Sequence, residues 1–250
     1  MPQLYIIAGC NGAGKTTASY TLLPEMLDCK EFVNADVIAA EISPGNPESV
    51  AFEAGRKMLQ KIHQLINERS DFAFETTLAT RSYASLIKNA TAKGYEIILL
   101  YYWLKSPEFA KKRVAARVAE GGHNIPADVI KRRYYRGINN LINLYIPICH
   151  HWIVIDNMNI LAEEIIVGSF NNVKMVIKST FGILFWSKAD IMSNKEKELM
   201  EFSDKVMQSM KKAMRKLVEA SAVQNKKLIV GDKDGNPISV PAKELLKKLQ

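Results

Sequence analysis

Apolar and polar positions along this chain switch between two periods. Short runs dense in Ile, Leu, Val, Phe and Tyr fall at residues 4–8, 32–34, 72–75, 97–104 and 152–155, the length and composition of buried strands. Between them, residues 48–67 set Val50, Ala54, Met58, Ile62, Leu65 and Ile66 three and four apart. Residues 82–93 repeat the pattern with Tyr83, Leu86, Ile87 and Ala90. Both spacings predict amphipathic crossover helices. Strands alternating with helices predict an α/β fold: a parallel sheet with helices on both faces.

Near residue 190 the pattern changes. Ser, Asn and charged residues intervene, and residues 196–223 then place Leu199, Phe202, Val206, Met210, Ala213 and Leu217 on one helical stripe. Beyond it, 227–230 and 238–240 flank the turn-rich GDKDGNP, which predicts a hairpin. Pro241 suits the first turn of a last short helix running to about Leu249. The expected organisation is a unit over 1–189 and a helix-plus-hairpin appendage over 190–250. The appendage is too small to build a strong core alone and must dock on something.

The chain has 250 residues, 48% of them hydrophobic, enough for one sizeable core. Its three cysteines, Cys10, Cys29 and Cys149, show no CxxC spacing, which argues against a disulfide scaffold or a zinc site and fits a reducing cytoplasm. Met1 leads straight into an apolar run with no basic region before it, so no secretory signal is expected. The stretch 160–186 is interrupted by Glu163, Glu164, Asn171, Asn172, Lys174 and Lys178, so no membrane span is expected. The net charge is +8, but the Lys and Arg residues are spread along the chain, which disfavours nucleic acid as a partner. His63, His123, His150 and His151 form no ligand set by spacing, so magnesium is the only metal expected.

The chemistry concentrates at Gly9-Cys10-Asn11-Gly12-Ala13-Gly14-Lys15-Thr16-Thr17. This matches GxxxxGK[ST] in the context that motif requires, after a predicted strand and at the start of a predicted helix. The glycines let backbone N–H groups turn towards a phosphate, and the helix N-terminus adds a favourable dipole. Lys15 neutralises β and γ oxygens, and Thr16 offers its hydroxyl to magnesium. ATP and Mg2+ are the cofactors this implies. A switch GTPase is disfavoured, because the strand at 97–104 runs into Lys105-Ser106-Pro107 rather than a metal-binding aspartate.

Ligands of open α/β sheets bind beyond the carboxyl ends of the strands, and those ends carry Asp36, Glu75, Thr76, Thr77 and Asp156. On position alone Asp36 either caps a helix beginning at Val37 or accepts a proton from an attacking hydroxyl, with capping preferred. Glu75 suits magnesium, through water, or substrate hydroxyls. From Arg113 to Gly137, glycines 121 and 122 are flanked by arginines, and Lys131, Arg132, Arg133 and Arg136 form a basic cluster. That is the make-up of a mobile lid over a nucleotide, or of a solvated basic helix pair.

GCNGAGKTT, FVNADVIAAEISP, FAFETTLATRSY, RVAARVAEGGHNIPADVIKRRYYRGINNL and WIVIDN occur in an order that resembles the zeta-toxin and UDP-N-acetylglucosamine kinase family over about residues 3–158. The resemblance implies a P-loop kinase that phosphorylates a hydroxyl of UDP-N-acetylglucosamine. Asp36 is then the general base, reversing the capping preference, with Lys15 and Thr16 on phosphate and magnesium and Glu75 and Thr77 near the sugar. It also implies that Arg117, Arg133 and Arg136 contact ATP phosphates. Toxin members commonly carry an arginine two positions after the residue matching Thr77. Here that position is Ala79, and Arg81 is the stand-in. The C-terminal segment is similar, by pattern only, to small antitoxin-like partners of such kinases. It is therefore either a fused inhibitor or a packing arm. The alternatives to the nucleotide-sugar kinase are a self-inhibited toxin–antitoxin fusion and a kinase acting on another nucleotide or nucleic-acid hydroxyl.

Overall fold

In the computed structural model, residues 1–26, 29–122, 124–159, 163–169, 172–174 and 194–249 are described. His123 and the expected boundary near 190 lie outside them. The apolar runs become β1 (Gln3–Gly9), β2 (Glu31–Val33), β3 (Phe72–Thr76), β4 (Glu96–Trp103) and β5 (His151–Asp156). Between them lie α1 (Lys15–Met26), α2 (Ala35–Ile42), α3 (Ala51–Glu68), α4 (Tyr83–Ala92), α5 (Pro107–Ala119) and α6 (Ala127–Asn140). The five strands are parallel in the order β2-β3-β1-β4-β5 and flanked by helices, the P-loop NTPase arrangement. Leu4 to Ala8 of the central strand are buried, with phenylalanines 72 and 74 on one side and residues 97–103 of β4 on the other.

Two strands extend the sheet beyond this expectation. β6 (Glu163–Ser169) and β7 (Asn172–Lys174) add antiparallel at the β5 edge. An antiparallel neighbour needs only a short connection, so no helical period marked it in the sequence. Strand order reverses around β1. The carboxyl ends of β1, β2, β3 and β5 therefore open on one crevice, the usual ligand position in such a sheet.

The C-terminal segment forms α7 (Asn194–Val223), β8 (Lys227–Gly231), β9 (Pro237–Pro241) and α8 (Ala242–Lys247). α7 lies along α1 and turns its later half to α8. Its buried face includes Val206, Met210 and Ala213 as predicted, then drifts to Met214, Val218 and Ala222, leaving Leu217 half-buried. The drift reflects the two surfaces the helix serves. Val206 and Met210 join the main core, whereas Val218 joins Val230 and Leu245 in a separate small cluster. Among the described residues no helix is long and apolar enough to cross a membrane.

Candidate functional site

The cradle is built by the turn between β1 and α1. Ala13 N donates to Cys10 O at 3.2 Å, closing the turn. Gly14 has φ +83, and a Cβ there would stand 2.5 Å from Asn157 Nδ2, so both backbone angle and space require glycine. Asn157, one residue past β5, donates from Nδ2 to Ala13 O at 2.7 Å and ties the far strand to the cradle. Lys15 is buried; its Nζ donates to Cys10 O at 3.1 Å and lies 3.4 Å from Glu75 Oε1. Burial pushes the Cys10 thiol up to about 11 against the pull of Lys15 and Arg113, so this cysteine is packing rather than a nucleophile.

Glu75 gathers the neighbouring strand ends. Its Oε2 accepts from Thr16 Oγ1 at 2.7 Å and from Asn34 Nδ2 at 2.9 Å. Asn34 does a second job: its Oδ1 accepts from Asp36 N at 2.8 Å and caps α2. The helix therefore starts at Ala35, two residues earlier than expected, and the cap is Asn34 rather than Asp36. Asp36 sits in the first turn, exposed, with its carboxylate not used for capping.

One cleft of about 860 Å³ runs from the cradle across these strand ends. Asn11, Gly12, Gly14, Lys15, Thr16, Thr17, Asp36, Glu75, Thr77, Arg117, Arg133 and Arg136 all line it. Gly9 and Ala13 shape the turn without lining the cleft. Arg81 is exposed and does not line it either. In the loop after β3, where Leu78 takes a left-handed φ of +55, Ala79, Thr80 and Tyr83 line the cleft while Arg81 and Ser82 turn out to solvent. Asp156 points elsewhere as well; its Oδ1 accepts from Met158 N at 2.9 Å and shapes the turn after β5.

The strained Leu78 loop is held from several sides. Leu78 N donates to Thr76 Oγ1, Asn140 Nδ2 donates to Leu78 O at 2.8 Å, and Tyr145 Oη donates to Thr80 O at 2.6 Å. Helix α6 approaches so closely that a Cβ on Gly137 would come within 2.6 Å of Thr77 O. Non-glycine left-handed backbone costs energy and persists only where its surroundings enforce it. Here α6 is the enforcer.

Of the basic cluster, Arg132, Arg133 and Arg136 face the cleft, and Arg133 Nη1 donates to Asn11 Oδ1 at 3.5 Å. The arginine that the sequence did not single out is Arg113. It donates from Nε to Ile229 O and from Nη2 to Met158 O, each at 3.1 Å, and lies 5.0 Å from the Phe109 ring centroid. Burial lowers it to about 10, opposed by Cys10 and Asp156, so it stays cationic at neutral pH. Its partners are backbone carbonyls 45 and 116 positions away, which no local pattern announces. Equally unforeseen is the far wall of the cleft, which includes Met214 and Leu217 of α7 and Lys227, Leu228, Ile229 and Val230 of β8. His150 and His151 have structural partners at the opposite strand ends. His150 Nδ1 accepts from Ile97 N at 2.9 Å, and His151 Nε2 lies 3.0 Å from Glu96 Oε1.

Known proteins resemble the chain in two pieces. Residues 1–159 match the zeta toxin family model, and residues 194–250 match a domain of unknown function, DUF8506. An uncharacterized protein of Haemophilus influenzae is 35% identical over 127 residues, spanning 50% of this chain and 88% of that one. A structure from the PezAT chromosomal toxin–antitoxin system of Streptococcus pneumoniae superposes with TM-score 0.55 at 18% identity, covering 84% of this chain and 87% of that one. AvrRxo1-ORF1:AvrRxo1-ORF2 with ATP superposes with TM-score 0.59 at 14% identity, covering 86% and 76%. At these identities the solved structures establish the fold alone, a zeta-toxin-like P-loop kinase fold. With a family model spanning more than half its length, the chain belongs to the zeta toxin family.

Proposed function

We propose that this protein is an ATP-dependent phosphotransferase that moves the γ-phosphoryl group of ATP to a hydroxyl of a nucleotide sugar, with UDP-N-acetylglucosamine the first candidate. The observation that carries this is the convergence of Lys15, Thr16, Asp36, Glu75, Thr77 and the arginines of α5 and α6 on one cleft. Phosphoryl transfer asks a protein mainly for positioning and charge stabilisation. Asp36 accepts the acceptor hydroxyl's proton as its oxygen attacks the γ-phosphorus, and the bond to the β–γ bridging oxygen breaks to release ADP. Lys15 and the cradle N–H groups hold the β and γ oxygens, while Arg117, Arg133 and Arg136 meet the charge spread over the migrating group. Thr77 orients the sugar from the strained loop.

The paired hydroxyl and carboxylate of Thr16 and Glu75, 2.7 Å apart, are hard oxygen donors of the kind Mg2+ uses together with phosphates and water. Thr16 and Glu75 would hold magnesium, which would supply neutralisation of the charge developing on the phosphates. Two units, 1–189 and 190–250, and a cytoplasmic setting complete the reading, supported by the two separate family matches and by three buried cysteines held outside any disulfide.

A second reading is a toxin–antitoxin fusion silenced by its own tail. It is favoured by residues 227–230 lining the cleft and by the toxin–antitoxin origin of a solved relative of like fold.

The test is incubation with ATP, Mg2+ and a panel of UDP-sugars and nucleosides, followed by mass spectrometry. Phosphorylated UDP-N-acetylglucosamine is expected, and Asp36→Ala should cut its formation by about 10²–10⁴-fold while leaving ATP binding. ATP binding without transfer to any acceptor would sink the primary reading.

A further inference from the structure

We infer that the C-terminal segment completes the nucleotide site rather than obstructing it, with α7 and β8 supplying the apolar wall against which the base of the nucleoside triphosphate packs. This rests on the ATP-dependent reading above and deepens it. The cleft lining combines the polar cradle with apolar side chains of the C-terminal segment, Met214, Leu217, Leu228, Ile229 and Val230, beside Lys227. These residues all lie beyond 210 while the cradle lies before 18, so the two groups come from different units, with Val37, Met58 and Tyr83 adding apolar surface from the sheet unit. A nucleoside triphosphate has matching parts, a polyanion at one end and a flat heteroaromatic ring at the other. Small-molecule sites are lined in this way, mostly apolar with a few placed polar groups.

Three features separate a wall from a plug. First, the cleft retains about 860 Å³ with the segment docked, towards the upper end of the roughly 300–1,000 Å³ usual for ligand pockets. Second, the docking bonds lie outside the cradle. Arg113 bonds Ile229 O, Gly231 N donates to Met158 O at 3.1 Å, Lys112 Nζ donates to Pro237 O at 3.2 Å, Lys105 Nζ donates to Asp234 O, and Lys226 Nζ pairs with Glu120 Oε2 at 3.1 Å. No cradle residue is among these partners, so Lys15 and Thr16 stay directed at Glu75.

Third, a placed polar group lines the cleft beside the cradle. Asn157 is 2% exposed and lines the cleft, with its Nδ2 committed to Ala13 O. Its Oδ1 has no hydrogen-bond partner among the described residues. A buried acceptor left alone is costly, and an N–H or O–H donor on the nucleoside would satisfy it.

Strand alternation identifies the side chain to change. Leu228 and Val230 pack into the small cluster with Val218 and Leu245, whereas Ile229, between them, packs against the main core beside the cleft. In the full chain, Ile229→Ser and, on the other element, Leu217→Ser should each weaken ATP binding about fivefold to tenfold, the scale of about one to two methylene groups in an apolar pocket. Inorganic triphosphate, which has only the part the cradle holds, should bind with unchanged affinity. Both ligands are titrated calorimetrically, with a thermal melt of each variant to verify folding.

Tighter ATP binding in the variants would overturn the inference in favour of an obstructing tail, as would a parent chain that binds triphosphate but not ATP. Equal ATP affinity in folded variants and parent would overturn it too, while leaving the phosphotransferase reading intact. Failure of the parent chain to bind either ligand would remove that reading, and the inference with it.

Discussion

The parallel sheet and the C-terminal segment achieve order by different means. The sheet owns a continuous core, with Phe72, Phe74, Trp152 and most of β1 and β4 at 2% exposure or less. The segment's own cluster has three fully committed residues, Val218, Val230 and Leu245, ringed by half-buried Leu228, Val240, Leu246 and Leu249. Such a cluster is too small to offset the entropy of ordering its chain. The segment is held instead by α7 lying on α1 and by a handful of polar bonds, several ending on backbone carbonyls of the hairpin. The segment leans on the sheet and its helices, lending Val206 and Met210 to their core, and the cleft lies on the seam between the two.

The strongest way to break this comparison is in the sheet. Phe74→Ala removes a fully buried ring that stacks at 5.0 Å on Tyr83 and should cost about 3–5 kcal/mol of global stability, measured by urea unfolding. A cost below about 1 kcal/mol would mean the sheet core is not the dominant unit. Next comes the seam. Arg113→Ala leaves Ile229 O without that donor and takes one of two donors from Met158 O, which keeps Gly231 N, at about 1–3 kcal/mol, and should speed hydrogen exchange across 227–241 while sparing β1 and β3. Undiminished protection of the hairpin would show that α7 alone secures it.

The smallest effect is set by pH. Burial lowers His150, whose Nδ1 must stay unprotonated to accept from Ile97 N, and the His151 hydrogen bond lowers Glu96. In both cases the unfolded chain takes up the proton first. Stability is full above about pH 6.5, the ordinary histidine value, and declines as pH falls, with a further loss below the ordinary carboxylate range. The C-terminal segment contains no histidine, so the decline between pH 7.5 and 5.5 belongs to the sheet. His150→Asn, which offers Oδ1 in place of Nδ1, should flatten the melting-temperature curve over that interval, and an unchanged slope would refute the assignment.

How much of this was legible in the sequence depended on range. Elements within one period of the chain stood out: the five parallel strands, the helices with apolar stripes, and the GxxxxGK[ST] turn with Lys15 and Thr16. The convergence of Asp36, Glu75 and Thr77 followed from strand ends sharing one edge of an α/β sheet, together with the family resemblance. Functions resting on a single bond between distant residues were hidden. Asn34 and Asp36 both suit a helix start, and only the Asn34–Glu75 contact shows how Asn34 is oriented to cap. Arg113 looked like one more lid cation until Ile229 and Met158 claimed it. Arg81 looked like a substitute for an absent arginine, but it turns out to solvent from a loop whose Ala79, Thr80 and Tyr83 line the cleft. The far wall could not be anticipated, since a Met and Leu stripe is compatible with many packing surfaces.

The missing side chain at Gly137 bears on how the cleft is assembled. Thr77 O is seated against the backbone of α6, and Asn140 at the end of that helix and Tyr145 just beyond it grip Leu78 and Thr80. Arg133 and Arg136 lie on the same helix, so the cations and the strand-end loop that line the cleft share one support. Any side chain at position 137 would drive a wedge into that joint.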